Sequence, residues 1–244
     1  MKALFKAFLG FFIGSVILVV GVLVLDSQGF FNLKSVKVKN QFKDSVPAVA
    51  RWSSQLELDL QEFIGASLIE LPFEKIKDKI RPLEWVQDYH IHRKFPANLQ
   101  IELIPKEWIA LFPQDASGKY LGVSSRCELL PELHFLDTKD LPFVSNVFKE
   151  DANKRQSMCD FLNAANEGSH IQKNNINYIK WKNLELVVEL IEPKVEIRLG
   201  HEDLILAKNR IEKVLQDLEK KSLTPSVITA VAGQKVVVKL RKAR

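Results

Sequence analysis

The chain has 244 residues, a hydrophobic content of 46% and a formal net charge of +5. That length allows one large domain or two ordinary ones, and the apolar content is enough to bury a core. Basic residues alternate with Asp and Glu except in the terminal cluster Lys239, Arg241, Lys242 and Arg244, which reads as a solvated tail, with attraction to anionic lipid as the weaker alternative; no basic run is interleaved with aromatics, which argues against a nucleic-acid binder.

Residues 1–6 form a short tail, followed at 7–25 by the uncharged run AFLGFFIGSVILVVGVLVL. As a helix this run of about 19 residues spans roughly 28 Å, the thickness of a bilayer's hydrocarbon core. A signal peptide has a shorter apolar stretch ending in a small-x-small site. This run ends in Val24-Leu25-Asp26-Ser27-Gln28, so it reads as an uncleaved anchor. Lys6 abuts its start and Asp26 its end, so the positive-inside rule places the tail in the cytoplasm. Gly10 and Gly14 make a GxxxG step with Gly21 further along the same face, a surface on which a second helix could pair.

Beyond the anchor, residues 33–39 alternate apolar and polar, the pattern of a half-buried strand. Residues 47–63 predict a helix ended by Gly65. Pro72 opens a second, short helix to Ile80 with Phe73, Ile76 and Ile80 on one face. Two strands follow, 85–92 and 98–104, joined by a turn at Phe95-Pro96-Ala97-Asn98. The order strand, helix, helix, strand, strand predicts an α+β domain over residues 31–106, with helices on one sheet face. Residues 107–240 predict a second, sheet-rich domain. It starts with irregular strands and a turn at Ser117-Gly118, then a helix over 150–167. Strands at 176–181, 184–191 and 194–199 lead to an amphipathic helix over 203–220, and strands 227–231 and 235–240 flank Gly233.

Residues with catalytic chemistry are sparse. His90 and His92 share one strand face, but none of His134, His170 or His201 is placed as a third ligand, and no metal is expected. The sequence carries no GxSxG, phosphate loop or dinucleotide fingerprint, so no enzyme activity and no cofactor are expected. Glu57 and Asp59, and Glu189 and Glu192, read as solvated carboxylates. Cys127 and Cys159 are too far apart for a CxxC pair and read as two thiols in or near the core, although an oxidising compartment would permit a bridge.

Several stretches in this order resemble the FtsQ/DivIB family of bacterial cell-division proteins. They are Val36-Lys37-Val38, then residues 66–71 (ASLIEL), then Leu83-Glu84-Trp85-Val86. The most specific is IHRKFPANLQI at 91–101, which is similar to the family's "v-x-R-x-x-P-x-x-L-x-I". Further along, Leu141-Pro142-Phe143-Val144, the strand end VEIRLG at 195–200 and the final paired strands match in turn. The chain departs at Pro105, at Trp108-Ile109-Ala110, and at Ile228-Thr229-Ala230-Val231, where the family carries an acidic-basic D-L-R. The resemblance implies a POTRA domain followed by a β domain, in an inner-membrane protein with its C-terminus in the periplasm, enriched at the division septum. It implies a non-catalytic scaffold whose last strand, here Lys235, Val236, Val237, Val238 and Lys239, pairs with a segment of an FtsB-like protein that is joined to an FtsL-like one. Lys208 and Arg210 on the preceding helix could meet acidic partner side chains, against a solvated helix face as the plainer reading. The alternative is a POTRA-containing factor for polypeptide transport or assembly in the envelope.

Overall fold

The uncharged run folds into one long helix, α1 (Lys2–Ser27), in a computed structural model of the chain. The structure describes residues 2–41, 46–114, 118–134, 141–165, 169–200, 203–231 and 235–241, with side chains in α1 from Gly10 onward. Ser117, Glu167, His201, Gly233, Lys242 and Arg244 lie outside the described residues, as do the side chains of Lys2 and Lys6. Residues Gly10–Ser27 have a mean hydropathy of 2.3 and are long enough to cross a membrane. Gly29, at φ +74°, ends the helix: its N–H donates to Asp26 O at 2.8 Å and the Phe30 N–H to Leu25 O at 3.0 Å. That pair of bonds is a Schellman cap, which needs a left-handed residue where glycine stands.

The chain is a mixed α+β protein whose contacts divide it into two units, residues 1–45 with 49–105, and residues 46–48 with 106–244. In the first unit, β1 (Ser35–Asn40), α2 (Pro47–Asp59), a 3-10 turn (Leu60–Phe63), α3 (Phe73–Ile80), β2 (Val86–Lys94) and β3 (Asn98–Pro105) follow in order. The three strands form one sheet in the order β1-β3-β2, with β1 parallel and β2 antiparallel to β3. Alternation along β3 sends Leu99, Ile101 and Leu103 into a core shared with Val36, Leu56, Leu60, Ile76 and Ile80. The other sheet face carries the exposed Lys37, Lys39, His90 and His92. Glu57 departs from its reading as a solvated carboxylate. It is half-buried, and its Oε2 accepts the Val38 N–H at 2.8 Å, which ties α2 to the outer strand β1.

The second unit is built on a nine-stranded sheet. Its strands are β4 (Trp108–Pro113), β5 (Lys119–Ser124), β6 (Leu129–His134), β7 (Phe143–Val144), β8 (Ile176–Lys182), β9 (Glu185–Leu190), β10 (Glu196–Leu199), β11 (Pro225–Val231) and β12 (Lys235–Leu240). The spatial order is β12-β11-β10-β9-β8-β7-β4-β5-β6. The helix expected over 150–167 is two pieces, α4 (Val147–Glu150) and α5 (Ala152–Asn163). Asp151 separates them because its backbone is extended and its Oδ1 caps α5, accepting the N–H groups of Asn153 and Lys154 at 3.1 Å each. The long helix α6 (Leu204–Lys220) is the crossover between the parallel strands β10 and β11. Asp203 caps its start through the N–H groups of Ile205 and Leu206. At β4–β5 the Trp108 ring packs against Gly122, where a Cβ would fall 1.9 Å from a ring carbon.

The two cysteines are not thiols. Cys127 and Cys159 form a disulfide that ties the β5–β6 turn to the buried face of α5. The side chains are 32 residues apart in sequence, and only the packing of α5 against the sheet brings them together.

Candidate partner-binding surface

An antiparallel ladder offers hydrogen bonds on both edges of each strand, and a strand at the end of a sheet uses one edge only. Among the described residues β12 pairs with β11 alone and lies at one end of the nine-stranded sheet. Its period of two places Val236 and Val238 against the core, half-buried, and turns Lys235, Val237 and Lys239 outward. Val237 is 57% exposed, and Leu240 and Val231 add exposed apolar surface at the two ends of the pair. The register Thr229↔Val237 and Ile228↔Val238 is fixed by the β11–β12 ladder, with a bulge between Pro225 and Val227. The far end is pinned by the Ser226 hydroxyl, which donates to Lys239 O at 2.9 Å, and by the Arg241 guanidinium, which donates to Lys194 O. The result is a held strand with an apolar exposed centre, flanked by two lysines, along a backbone row that another strand could complete.

Lys208 does not belong to such a surface. It is buried, and its ammonium donates to Ala164 O at 2.5 Å, so neither a solvated face nor a partner contact describes it. Its position explains this: it falls four residues after Leu204 and three before Ile211, on the stripe that packs against the sheet. Arg210 is half-buried on the same helix. In α1, Gly10 and Gly14 are exposed, and a Cβ at either would meet nothing within 4 Å. His90 and His92 stand with ring centroids 6.3 Å apart, His92 lies 3.9 Å from Glu102, and among the described residues no group of three side chains could hold a metal.

A second polar cluster was not legible in the sequence. The His170 ring lies between two carboxylates of α6, with Nδ1 2.9 Å from Glu212 and Nε2 3.2 Å from Glu219. The Glu212 carboxylate also accepts the N–H groups of His170 and Ile171, at 2.9 and 3.1 Å. Burial would raise the Glu212 pKa, but these hydrogen bonds and the His170 ring outweigh it and hold it below the ordinary carboxylate range. A carboxylate with a lowered folded-state pKa adds stability above its unfolded pKa, and that stability is lost as pH falls through the folded value. Glu212→Gln is therefore expected to melt lower than the parent at neutral pH, and the gap is expected to close on acidification below about pH 4.3. Thermal melts across pH check this; a gap that stays constant into the acid range would refute it. An open hollow beside the cluster is lined by His170, Gln172, Asn174, Asn175, Glu192 and Glu219, with Ser169, whose hydroxyl donates to Ile171 O at 2.9 Å.

Compared with models of known protein families and with curated proteins, the chain has no match to either.

Proposed function

We propose that this chain is a single-pass envelope scaffold of the FtsQ/DivIB kind, which binds other division proteins outside the cytoplasm and performs no reaction. The observation that carries the reading is the open edge of β12. Its backbone donors and acceptors face outward beside Val237, the arrangement by which one chain adds a strand to another. Three further features support it. α1 is long and apolar enough to anchor the chain. The first unit has the strand, helix, helix, strand, strand order that the resemblance implies for a POTRA domain. The Cys127–Cys159 bridge suits an oxidising compartment such as the periplasm.

In this proposal an FtsB-like segment, carried by its complex with an FtsL-like protein, lies along residues 235–239, and Lys235 and Lys239 meet acidic side chains that flank the added strand. The absence of the family's D-L-R, with Ile228-Thr229-Ala230-Val231 in its place, does not weaken such pairing, because main-chain bonds supply it. Neighbouring N–H groups on an extended strand point to opposite edges. Of the two replacements Val237→Pro and Val238→Pro, one therefore removes a donor to β11 and the other a donor to the open edge. The detergent-solubilised full chain, titrated with the FtsB–FtsL complex, is expected to bind at least tenfold more weakly with the second kind, a loss of about 1.4 kcal/mol, while its circular dichroism and melting stay parental. Lys239→Glu leaves the backbone intact and is expected to weaken binding more at low salt than at high salt. Unchanged affinity in all three folded variants would end the strand-addition proposal. Uniform envelope distribution of the tagged chain in dividing cells, in place of midcell enrichment, would favour the transport or assembly factor instead.

A further inference from the structure

The end of α1 is not joined to the first unit by a linker. The Ser67 hydroxyl donates to the Asp26 carboxylate at 2.6 Å, the Leu68 N–H to Phe31 O at 2.8 Å and the Leu33 N–H to Ala66 O at 2.8 Å. One residue on, the Lys34 N–H donates to Ala97 O at 2.7 Å, which fixes the turn at Phe95-Pro96 beside the same end. Phe31, Leu33 and Lys34, close behind the last turn of α1, are thus hydrogen-bonded into the folded unit.

This end carries apolar side chains that the fold leaves uncovered. Phe30 is 51% exposed, Phe95 58% and Ile64 47%. Phe31 stands between the two exposed rings, edge-on to each, with centroids 5.1 Å from Phe30 and 6.0 Å from Phe95. Phe30 sits in the Schellman cap of α1, next in space to the exposed Leu25, so the aromatic patch continues the apolar surface of the helix without a polar break at that point. Exposed lysines are near the rings in the chain: Lys34 follows Phe30 and Phe31 by a few residues, and Lys94 precedes Phe95 and pairs with Asn98. Glu70 is an exposed acidic side chain of the same loop, Glu62, two residues before Ile64, is exposed but paired with Lys79 at 2.8 Å, and Asp26 is engaged by Ser67.

We propose that this end of the first unit is a membrane-seating surface: Phe30, Phe31, Phe95 and Ile64 dip into the interface of the bilayer that α1 spans, and Lys34 and Lys94 lie at its anionic headgroups. The occupant is the lipid surface because the patch is hydrogen-bonded to the helix end and cannot leave its level. Aromatic rings with one apolar and one wet side concentrate at that depth, and lysines beside them meet phosphate. Ile64 lies at the same end, since the next residue, Gly65, donates its N–H to Leu33 O at 2.9 Å, and folded proteins seldom leave so much apolar surface together in water. The consequence is that the first unit does not swing on a tether but stands on the membrane in one orientation. The proposal rests on the reading that α1 spans a membrane.

The full chain, reconstituted in vesicles of phosphatidylethanolamine and phosphatidylglycerol, tests both with spin labels at single introduced cysteines, the native pair remaining bridged. Labels are placed at Leu18→Cys within α1, at Ile64→Cys in the patch, and at Gln41→Cys beyond the far end of β1. The Leu18 label is expected to favour oxygen over a water-soluble nickel quencher strongly, the Ile64 label to favour oxygen several-fold more than the Gln41 label, and the Gln41 label to behave as in water. Phe30→Ser with Phe95→Ser, added to Ile64→Cys, is expected to return that label to the Gln41 value while the Leu18 label does not change. A deep Leu18 label with a water-like Ile64 label in the parent would overturn the seating alone. An Ile64 label shielded from both quenchers would overturn it in favour of a protein cover such as a second copy. A water-like Leu18 label would overturn the spanning helix and the seating together.

Discussion

Leu99→Asp is expected to unfold most of the first unit. Leu99 is 1% exposed near the start of β3, the middle strand of the three-stranded sheet, with Val36 opposite it on β1 and Arg93 on β2. Its neighbours Ile101, Ile76 and Ile80 are closed to water as well, so the new carboxylate would lose its solvent, and the cation opposite it, Arg93, is already stacked over the Phe73 ring, 4.3 Å from its centroid. Removing the leucine side chain alone costs about 3 kcal/mol, and placing a charge in its stead raises that to about 5 kcal/mol. A unit of this size holds roughly 4–11 kcal/mol in all, so the substitution is comparable with its whole stability. Hydrogen exchange on the full chain in detergent is the direct measurement. Amides of Ser35–Asn40 and Asn98–Pro105 should lose their protection, while those of β8 to β10, which belong to a separate core, should keep theirs. Leu99→Ala should produce a smaller loss in the same segments. If protection along β3 survives the aspartate, the buried face has been assigned to the wrong side of that strand.

The alternation that makes Leu99 readable is the reason the first unit was legible from the sequence. Each of its elements has one apolar face, and the two helices differ from the strands in period. The amphipathic α6 and the strands β8, β11 and β12 were legible for the same reason. The region of β4 to β7 was not. Residues 108–112 of β4 are all buried, so both faces are covered and the apolar run has no period to read. β7 has only two residues, too few for any pattern. Lys208 was misplaced although its signal was present: counted by helical spacing it lies on the apolar stripe, and its charge concealed that. The remaining surprises join residues far apart in the chain. Glu57 reaches Val38, Glu212 reaches His170 and Ile171, and Cys127 reaches Cys159, each across a tertiary contact that no local spacing encodes. The open edge of β12 was legible as a terminal strand with one valine face, but its place at the end of nine strands is a property of the whole sheet.

Breaking the disulfide is expected to lower the stability of the second unit by about 3.7 kcal/mol. The bridge closes a loop of 32 residues, and the chain entropy restored to the unfolded state on opening such a loop gives that figure. What the loop contains decides where the loss is felt. It holds β6, β7 and α4 and leads into α5, whose Met158, Phe161 and Leu162 are part of the main core. Opening the bridge therefore frees in the unfolded chain the segment that must be ordered to bring α5 onto the sheet. Two variants separate the cross-link from the packing of its atoms. The reduced parent keeps both sulfur atoms, so its loss is that of the link. Cys127→Ala with Cys159→Ala also empties the volume of the fully buried Cys159, and should fall further by roughly 1 kcal/mol. Cys127 itself has φ +63°, in the left-handed region, and alanine retains that strain where glycine would relieve it, so alanine is the fair replacement. Denaturant titration of the oxidised and reduced full chain, followed by exchange of amides in α5 and β5, measures the difference. A reduced chain whose midpoint and α5 protection match those of the oxidised one would show that the packing of α5, and not the bridge, holds this part of the sheet.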